Sequence, residues 1–208
     1  MFRNDIDYLS NLYSKEPQEI LNIRQSCPQH LQKMQLHYSE CRILSVILKI
    51  AQVNKVLELG TLVGCSTAWI ARSLSGDDPL VVSVEKSENN YSIAKKNIDN
   101  LEYSHRIQLL HANALNVLQE YSVSQNFLFD AIFIDAKKVE YVQYLELSKQ
   151  CLKRGGIIIS DNTLMIHESI PEISEAIKKF NAIVENDTDF TSAVIPTFSG
   201  MTIMMKNK

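Results

Sequence analysis

No apolar run in the 208-residue sequence approaches the roughly 18–20 residues that a membrane-spanning helix needs, although 45% of the chain is hydrophobic. Its start, Met1-Phe2-Arg3-Asn4-Asp5, lacks the charged-then-apolar layout of a signal peptide. Basic charge is not in excess. With 21 Lys and Arg against 24 Asp and Glu, the net charge is −3. That removes the simplest case for bulk binding to duplex DNA or an anionic membrane, and leaves only a local basic patch. Four cysteines, Cys27, Cys41, Cys65 and Cys151, show neither CxxC spacing nor the density of a disulfide scaffold. They are expected as reduced thiols in a cytoplasmic protein. Repeats and low-complexity stretches are missing as well. What is there is an ordinary globular composition, 22% charged, long enough for one domain with a substantial core and a short extension.

From Lys55 onward, short β-branched apolar runs alternate with longer amphipathic ones. Strands are expected over 55–59, 80–84, 107–111, 131–134 and 156–160, with helices over 65–74, 89–100, 114–120 and 141–152. Continuous apolar strands alternating with helices indicate a doubly wound, parallel α/β sheet with helices on both faces. After Ser160 the pattern changes. Pro171 opens a helix to about residue 184 with Ile173, Ala176, Ile177 and Phe180 on one face. Two last strand-like runs, 191–195 and 201–206, are five residues apart. A loop that short cannot hold a crossover helix, so these strands should pair antiparallel. Residues 1–54 read as a helical extension: Ile6, Leu9, Leu12 and Tyr13 form one stripe, and Ser39 is a candidate cap for a helix bearing Ile43, Leu44, Ile47 and Ile50. A lid and a dimer contact both suit this region, and residues 55–208 form the main domain.

The first strand ends in Glu58-Leu59-Gly60-Thr61-Leu62-Val63-Gly64-Cys65-Ser66. Two glycines four apart let backbone approach a ligand at a helix N-terminus. The spacing is not GxGxxG, and no Gly-Lys-Ser/Thr follows to cradle phosphates. The loop therefore suits a nucleoside-type ligand without phosphates, or simply a tight turn. Glu85 closes the second strand, where an acid can accept both ribose hydroxyls; a solvated strand end is the plainer alternative.

Strand four runs into Asp135-Ala136-Lys137-Lys138 and strand five into Asp161-Asn162. Open α/β sheets bind ligands beyond the carboxyl ends of their strands. Adjacent strands about 4.8 Å apart would set Asp135 beside Asp161, and carboxylates that close repel unless protonated or bridged by a cation. Asp135, Asp161 and Asn162 offer oxygen ligands suited to a hard divalent ion such as Mg²⁺, less so to zinc. Asp-Asn is also a common turn signal. Lys138, three residues past Asp135, is placed to act as a base at such an ion; otherwise it is solvated, as Lys137 is expected to be.

Taken in order, these motifs resemble a metal-dependent class I methyltransferase of the catechol and caffeoyl-CoA O-methyltransferase group, including its small bacterial members. The resemblance covers about residue 34 to the end. It implies a Rossmann-like sheet of seven strands, mostly parallel with an antiparallel last strand, and S-adenosylmethionine as methyl donor. It puts Asp135, Asp161 and Asn162 on the metal and makes Lys138 the general base. It further implies that Gly60, Leu62, Ser66, Glu85 and Asp135 hold the donor, with Glu58 near its methionine end, Asn113 by the adenine and Leu36 covering it. A homodimer through the N-terminal helices is implied too. Four positions depart from the usual pattern: Ala112-Asn113-Ala114 for Gly-Asp-Ala, Lys137 for an acid, Cys41 for glycine, and Ser199-Gly200 for Asp-Gly.

The activity so implied is methyl transfer to a hydroxyl of a metal-chelated catechol-like diol, with Trp69 and Tyr141 as candidates to line the pocket. The alternative within the fold is a tRNA 5-hydroxyuridine O-methyltransferase. A nicotinamide dehydrogenase is disfavoured by the absent GxGxxG and the terminal hairpin. A donor-binding protein without chemistry is disfavoured by the intact ligand set and Lys138.

Overall fold

The computed structural model describes residues 15–124 and 128–207, with Tyr8 and Leu12. Ile6, Leu9 and Tyr13 of the expected N-terminal stripe lie outside the described residues; Leu12 is helical and exposed. The strands are β1 (Lys55–Leu59), β2 (Leu80–Glu85), β3 (Ile107–His111), β4 (Phe129–Ile134), β5 (Leu152–Ser160), β6 (Phe190–Ile195) and β7 (Met201–Lys206). The helices are α1 (Gln18–Ser26), α2 (Tyr38–Ile50), α3 (Cys65–Ser73), α4 (Glu88–Asp99), α5 (Ala114–Val123), α6 (Tyr141–Cys151) and α7 (Pro171–Glu185). One seven-stranded sheet results, ordered β3-β2-β1-β4-β5-β7-β6. The pairs β2–β3, β1–β4 and β4–β5 are parallel, and β7 runs antiparallel to both β5 and β6. No helix of the described residues is long and apolar enough to cross a membrane. Cys27, Cys41, Cys65 and Cys151 are free and buried.

By its internal contacts the chain divides into two compact units, residues 1–54 with 61–111, and residues 55–60 with 112–208. In the first unit, α2 is capped two residues earlier than Ser39 would allow. His37 is the cap: its Nδ1 accepts from the Ser39 N–H, and the Glu40 carboxylate accepts from the His37 N–H at 3.2 Å. The reciprocal pair satisfies two donors that the helix leaves open. Consequently the buried stripe is Cys41, Leu44, Ser45 and Leu48, while Ile50 is 79% exposed. This helix packs on α3. Beneath it, Glu16 accepts from Arg24 Nε at 2.5 Å and Nη2 at 3.0 Å and from Trp69 Nε1 at 2.9 Å. Trp69 is thus a buried structural residue, not a free pocket wall.

In the second unit, β5 begins four residues before the expected start. Its pairing with β4 skips from Phe129↔Leu152 to Ala131↔Ile157, a bulge that absorbs Lys153–Gly155 and bends the strand. Glycine is required there: a Cβ on Gly156 would lie 2.9 Å from the Asp130 and Lys153 carbonyl oxygens. Along α7 the buried positions are Ser174, Ile177, Phe180 and Val184, so the stripe is rotated from the expected one. Phe180 meets Tyr141 edge-on, ring centres 5.5 Å apart.

Candidate active site

The carboxyl ends of β4 and β5 lie level. Ile134 and Ser160 are register partners, and the Asp161 N–H donates to the Ile134 carbonyl at 3.0 Å. Asp135 and Asp161 each follow one member of that pair, so both leave the sheet at one level on neighbouring strands. Asp135 is fixed from the other side by its N–H to the Leu59 carbonyl, 2.9 Å. Gly60 crosses so near that a Cβ would sit 2.1 Å from the Asp135 carbonyl oxygen. Any side chain at Gly60 would push Asp135 out of place.

Lys138 Nζ donates to Asp135 Oδ1 at 2.7 Å, with both side chains 16% exposed. Asp161 is 3% exposed and its Oδ1 accepts from Ser199 Oγ at 3.0 Å. Asn162 sits at φ 61°, a left-handed conformation unusual for a residue with a side chain. Its carbonyl accepts from the Met165 N–H at 3.2 Å. The Asp-Asn pair is therefore a turn as well as a ligand candidate, and strained backbone of this kind clusters at ligand sites.

Tyr141 does not line this cluster; it is fully buried beneath it. Its hydroxyl donates to the Asp161 carbonyl at 3.0 Å. Burial, then the charges of Asp135 and Asp161, push its phenol well above the ordinary range, so it remains a proton-bearing strut. Lys137, 65% exposed at its side chain, pairs with Glu140 at 2.9 Å. Among the described residues no group of three or more His, Cys, Asp or Glu side chains could hold a metal. The candidate set has two carboxylates and an amide, an all-oxygen donor set that fits a hard dication keeping waters or substrate oxygens as further ligands.

In the same unit, Glu58 is fully buried in β1. Asn113 caps α5, its Oδ1 accepting from the Leu115 N–H at 2.9 Å. That capping duty was not visible in its departure from Gly-Asp-Ala, although Asn before a helix is a standard cap signal.

The first unit holds the other candidates. Glu85, 9% exposed, accepts from the Leu62 N–H at Oε2 and from the Ser87 N–H at Oε1, both 2.8 Å. Each carboxylate oxygen keeps a further lone pair for a hydroxyl. Leu62 is held at φ 53° and Gly64 at φ 93°, and Asn97 Nδ2 donates to the Val63 carbonyl at 2.8 Å, so the loop before α3 is tied down at several points. Ser66 is buried in the first turn of α3. Leu36 is buried, and its carbonyl accepts from Arg24 Nη1 at 2.9 Å.

In the sequence Ser199 stands out only as a departure from Asp-Gly. What places it beside Asp161 is the short loop between β6 and β7, whose Ser199 and Gly200 carbonyls accept from the Leu164 and Thr163 N–H groups. Nothing local in the sequence signals that contact.

Comparison with known proteins agrees with this architecture. The chain belongs to the O-methyltransferase family, whose model matches residues 11–207. A catechol O-methyltransferase of Niastella koreensis is 26% identical, over 94% of this chain and 90% of its own length. A caffeoyl-CoA O-methyltransferase of Populus kitakamiensis is also 26% identical, covering 94% and 89%. Among solved structures, an O-methyltransferase from Bacillus cereus in complex with SAH has TM-score 0.84 at 24% identity, covering 97% of this chain and 96% of its own. A SAH-bound methyltransferase from Podospora anserina has TM-score 0.85 at 19% identity, covering 99% and 96%. At those identities the structures establish the fold. Family membership sets aside the dehydrogenase.

Proposed function

We propose that this O-methyltransferase moves a methyl group from S-adenosylmethionine to one hydroxyl of a catechol-like vicinal diol, with Asp135, Asp161 and Asn162 holding a divalent cation such as Mg²⁺. The observation that carries the reading is the pairing of Asp135 and Asp161 at one level on adjacent strands, with the Lys138 amine 2.7 Å from Asp135 Oδ1. Relatives named for catechol and caffeoyl-CoA support the acceptor class. SAH in two neighbours supports the donor.

A bound divalent cation supplies Lewis acidity, which eases proton loss from a chelated hydroxyl and disfavours the charged form of an amine beside it. Lys138 is the proposed proton acceptor, its amine steered by Asp135. Glu85, already oriented by two backbone N–H groups, is proposed to take the ribose hydroxyls. Leu36, Glu58, Gly60, Leu62, Ser66, Asn113 and Asp135 are likewise proposed for the donor, as the family resemblance implies. Aligning a nucleophile with a methyl carbon can supply on the order of 7–11 kcal/mol of barrier reduction, so no covalent intermediate on the protein is needed. We assign residues 1–54 as a lid or dimer-forming extension to a catalytic domain at 55–208, and the enzyme as a cytoplasmic homodimer.

The test is an acceptor panel with labelled donor and Mg²⁺: catechol, caffeic acid, a monophenol and total tRNA. The reading expects transfer to the two diols and none to the monophenol. Transfer confined to tRNA would replace the small-molecule acceptor with a nucleic-acid one.

A further inference from the structure

We propose that Ser199 is a positioning residue that orients Asp161 for the divalent cation, an inference that rests on the metal reading above. Three observations carry it. The Ser199 hydroxyl donates to Asp161 Oδ1 at 3.0 Å. Its backbone is pinned to the loop that carries the candidate ligands, because the Ser199 carbonyl accepts from Leu164 N–H at 2.9 Å and the neighbouring Gly200 carbonyl from Thr163 N–H at 3.0 Å. Gly200 lies so close that a Cβ would meet the Leu164 side chain at 2.4 Å and its backbone nitrogen at 2.7 Å. The hydroxyl is therefore presented from a fixed platform.

The chemistry follows from what each oxygen can do. An ionised carboxylate accepts only, with about four lone-pair sites. The neutral hydroxyl donor on Oδ1 restrains the rotation of the group and adds no charge. At 3% exposure, Asp161 has little solvent from which to replace a lost donor. Partners that orient a metal-ligating group typically contribute 10–100-fold to metal affinity. Ser199 comes from the β6–β7 loop, 38 residues from its partner in sequence, so the terminal hairpin takes part in metal binding without supplying a ligand.

The experiment is a titration of the metal-free full chain with Mn²⁺, followed by the electron paramagnetic resonance signal of the free ion. Wild type is compared with Ser199→Ala, Ser199→Thr and Asp161→Ala, and the folding of each is checked by thermal melting. The expected result is an affinity about 10–100-fold weaker for Ser199→Ala, near wild type for Ser199→Thr, which keeps the hydroxyl, and no measurable binding for Asp161→Ala. Should the alanine variant not fold, Ser199→Cys, similar in shape and a weak donor, is read in its place with the same expectation. Wild-type binding left unchanged by loss of the hydroxyl overturns this inference and leaves the metal reading standing. No Mn²⁺ binding by wild type, or full binding by Asp161→Ala, overturns the metal reading and this inference with it.

Discussion

At the residue scale, Lys138 carries two roles that substitution can separate. Its amine neutralises Asp135 across 2.7 Å, and in the proposed chemistry it also removes a proton. Lys138→Ala should lower kcat by about 10²–10⁴, the usual contribution of a positioned acid or base, with a small change in KM. Lys138→Arg keeps the positive charge but cannot act as a base, since a guanidinium does not deprotonate in proteins. It should be nearly as slow as the alanine variant. Steady-state rates settle the matter: an arginine variant at wild-type speed would reduce Lys138 to a counter-charge. The neighbourhood of Asp135, Lys138, Asp161 and Asn162 was legible in the sequence because each sits within four residues of a strand end that its apolar run announces. Ser199 was not, because its meeting with Asp161 depends on how a distant hairpin lands. Tyr141 was misread as a pocket wall for a related reason: one turn of backbone after Lys138 directs it under the site.

At the scale of elements, the strand count, the parallel run and the closing hairpin followed from run lengths and loop length. The errors lie at ends and faces. The early start of β5 was hidden because Lys153-Arg154-Gly155 looks like a loop, and a bulge let those residues stay in the strand. The cap of α2 was missed because an imidazole nitrogen can accept where Ser or Asn usually does. That cap has a consequence for pH. Burial, with the positive charge of Arg24 also acting, depresses the His37 pKa below its ordinary 6.5, against an opposing pull from Glu40. Folded His37 thus binds its proton later than the unfolded residue, so stability is full above about 6.5 and declines as pH falls through the depressed value. Protonation would also remove the acceptor that holds the Ser39 N–H. His37→Asn, which caps without titrating, should show a smaller loss of Tm between pH 7 and pH 5 than wild type. A second test concerns Glu16, whose carboxylate is 2% exposed against Arg24 at 18%. Breaking such a buried pair by removing one partner costs about 3–5 kcal/mol. For a chain this long, each kcal/mol is worth about 2–4 °C. Glu16→Ala should therefore melt about 10 °C lower, and an unchanged Tm would mean the pair contributes nothing.

At the scale of the whole molecule, a fold shared with methyltransferases becomes this particular catalyst only if its oxygen ligands grip an ion that the reaction needs. Two aspartates that leave neighbouring strands at one level are costly to keep ionised together when their carboxylates approach. Lys138 offsets one charge and Ser199 donates a hydrogen bond to the other, an arrangement that a dication would complete. The most direct measurement is methyl transfer from labelled S-adenosylmethionine to catechol by chelator-stripped enzyme, before and after Mg²⁺ is restored, for wild type and Asp161→Ala side by side. The account predicts that stripped wild type is inactive and recovers with Mg²⁺, while Asp161→Ala stays inactive at every Mg²⁺ concentration. Undiminished transfer by wild type in excess EDTA would contradict it.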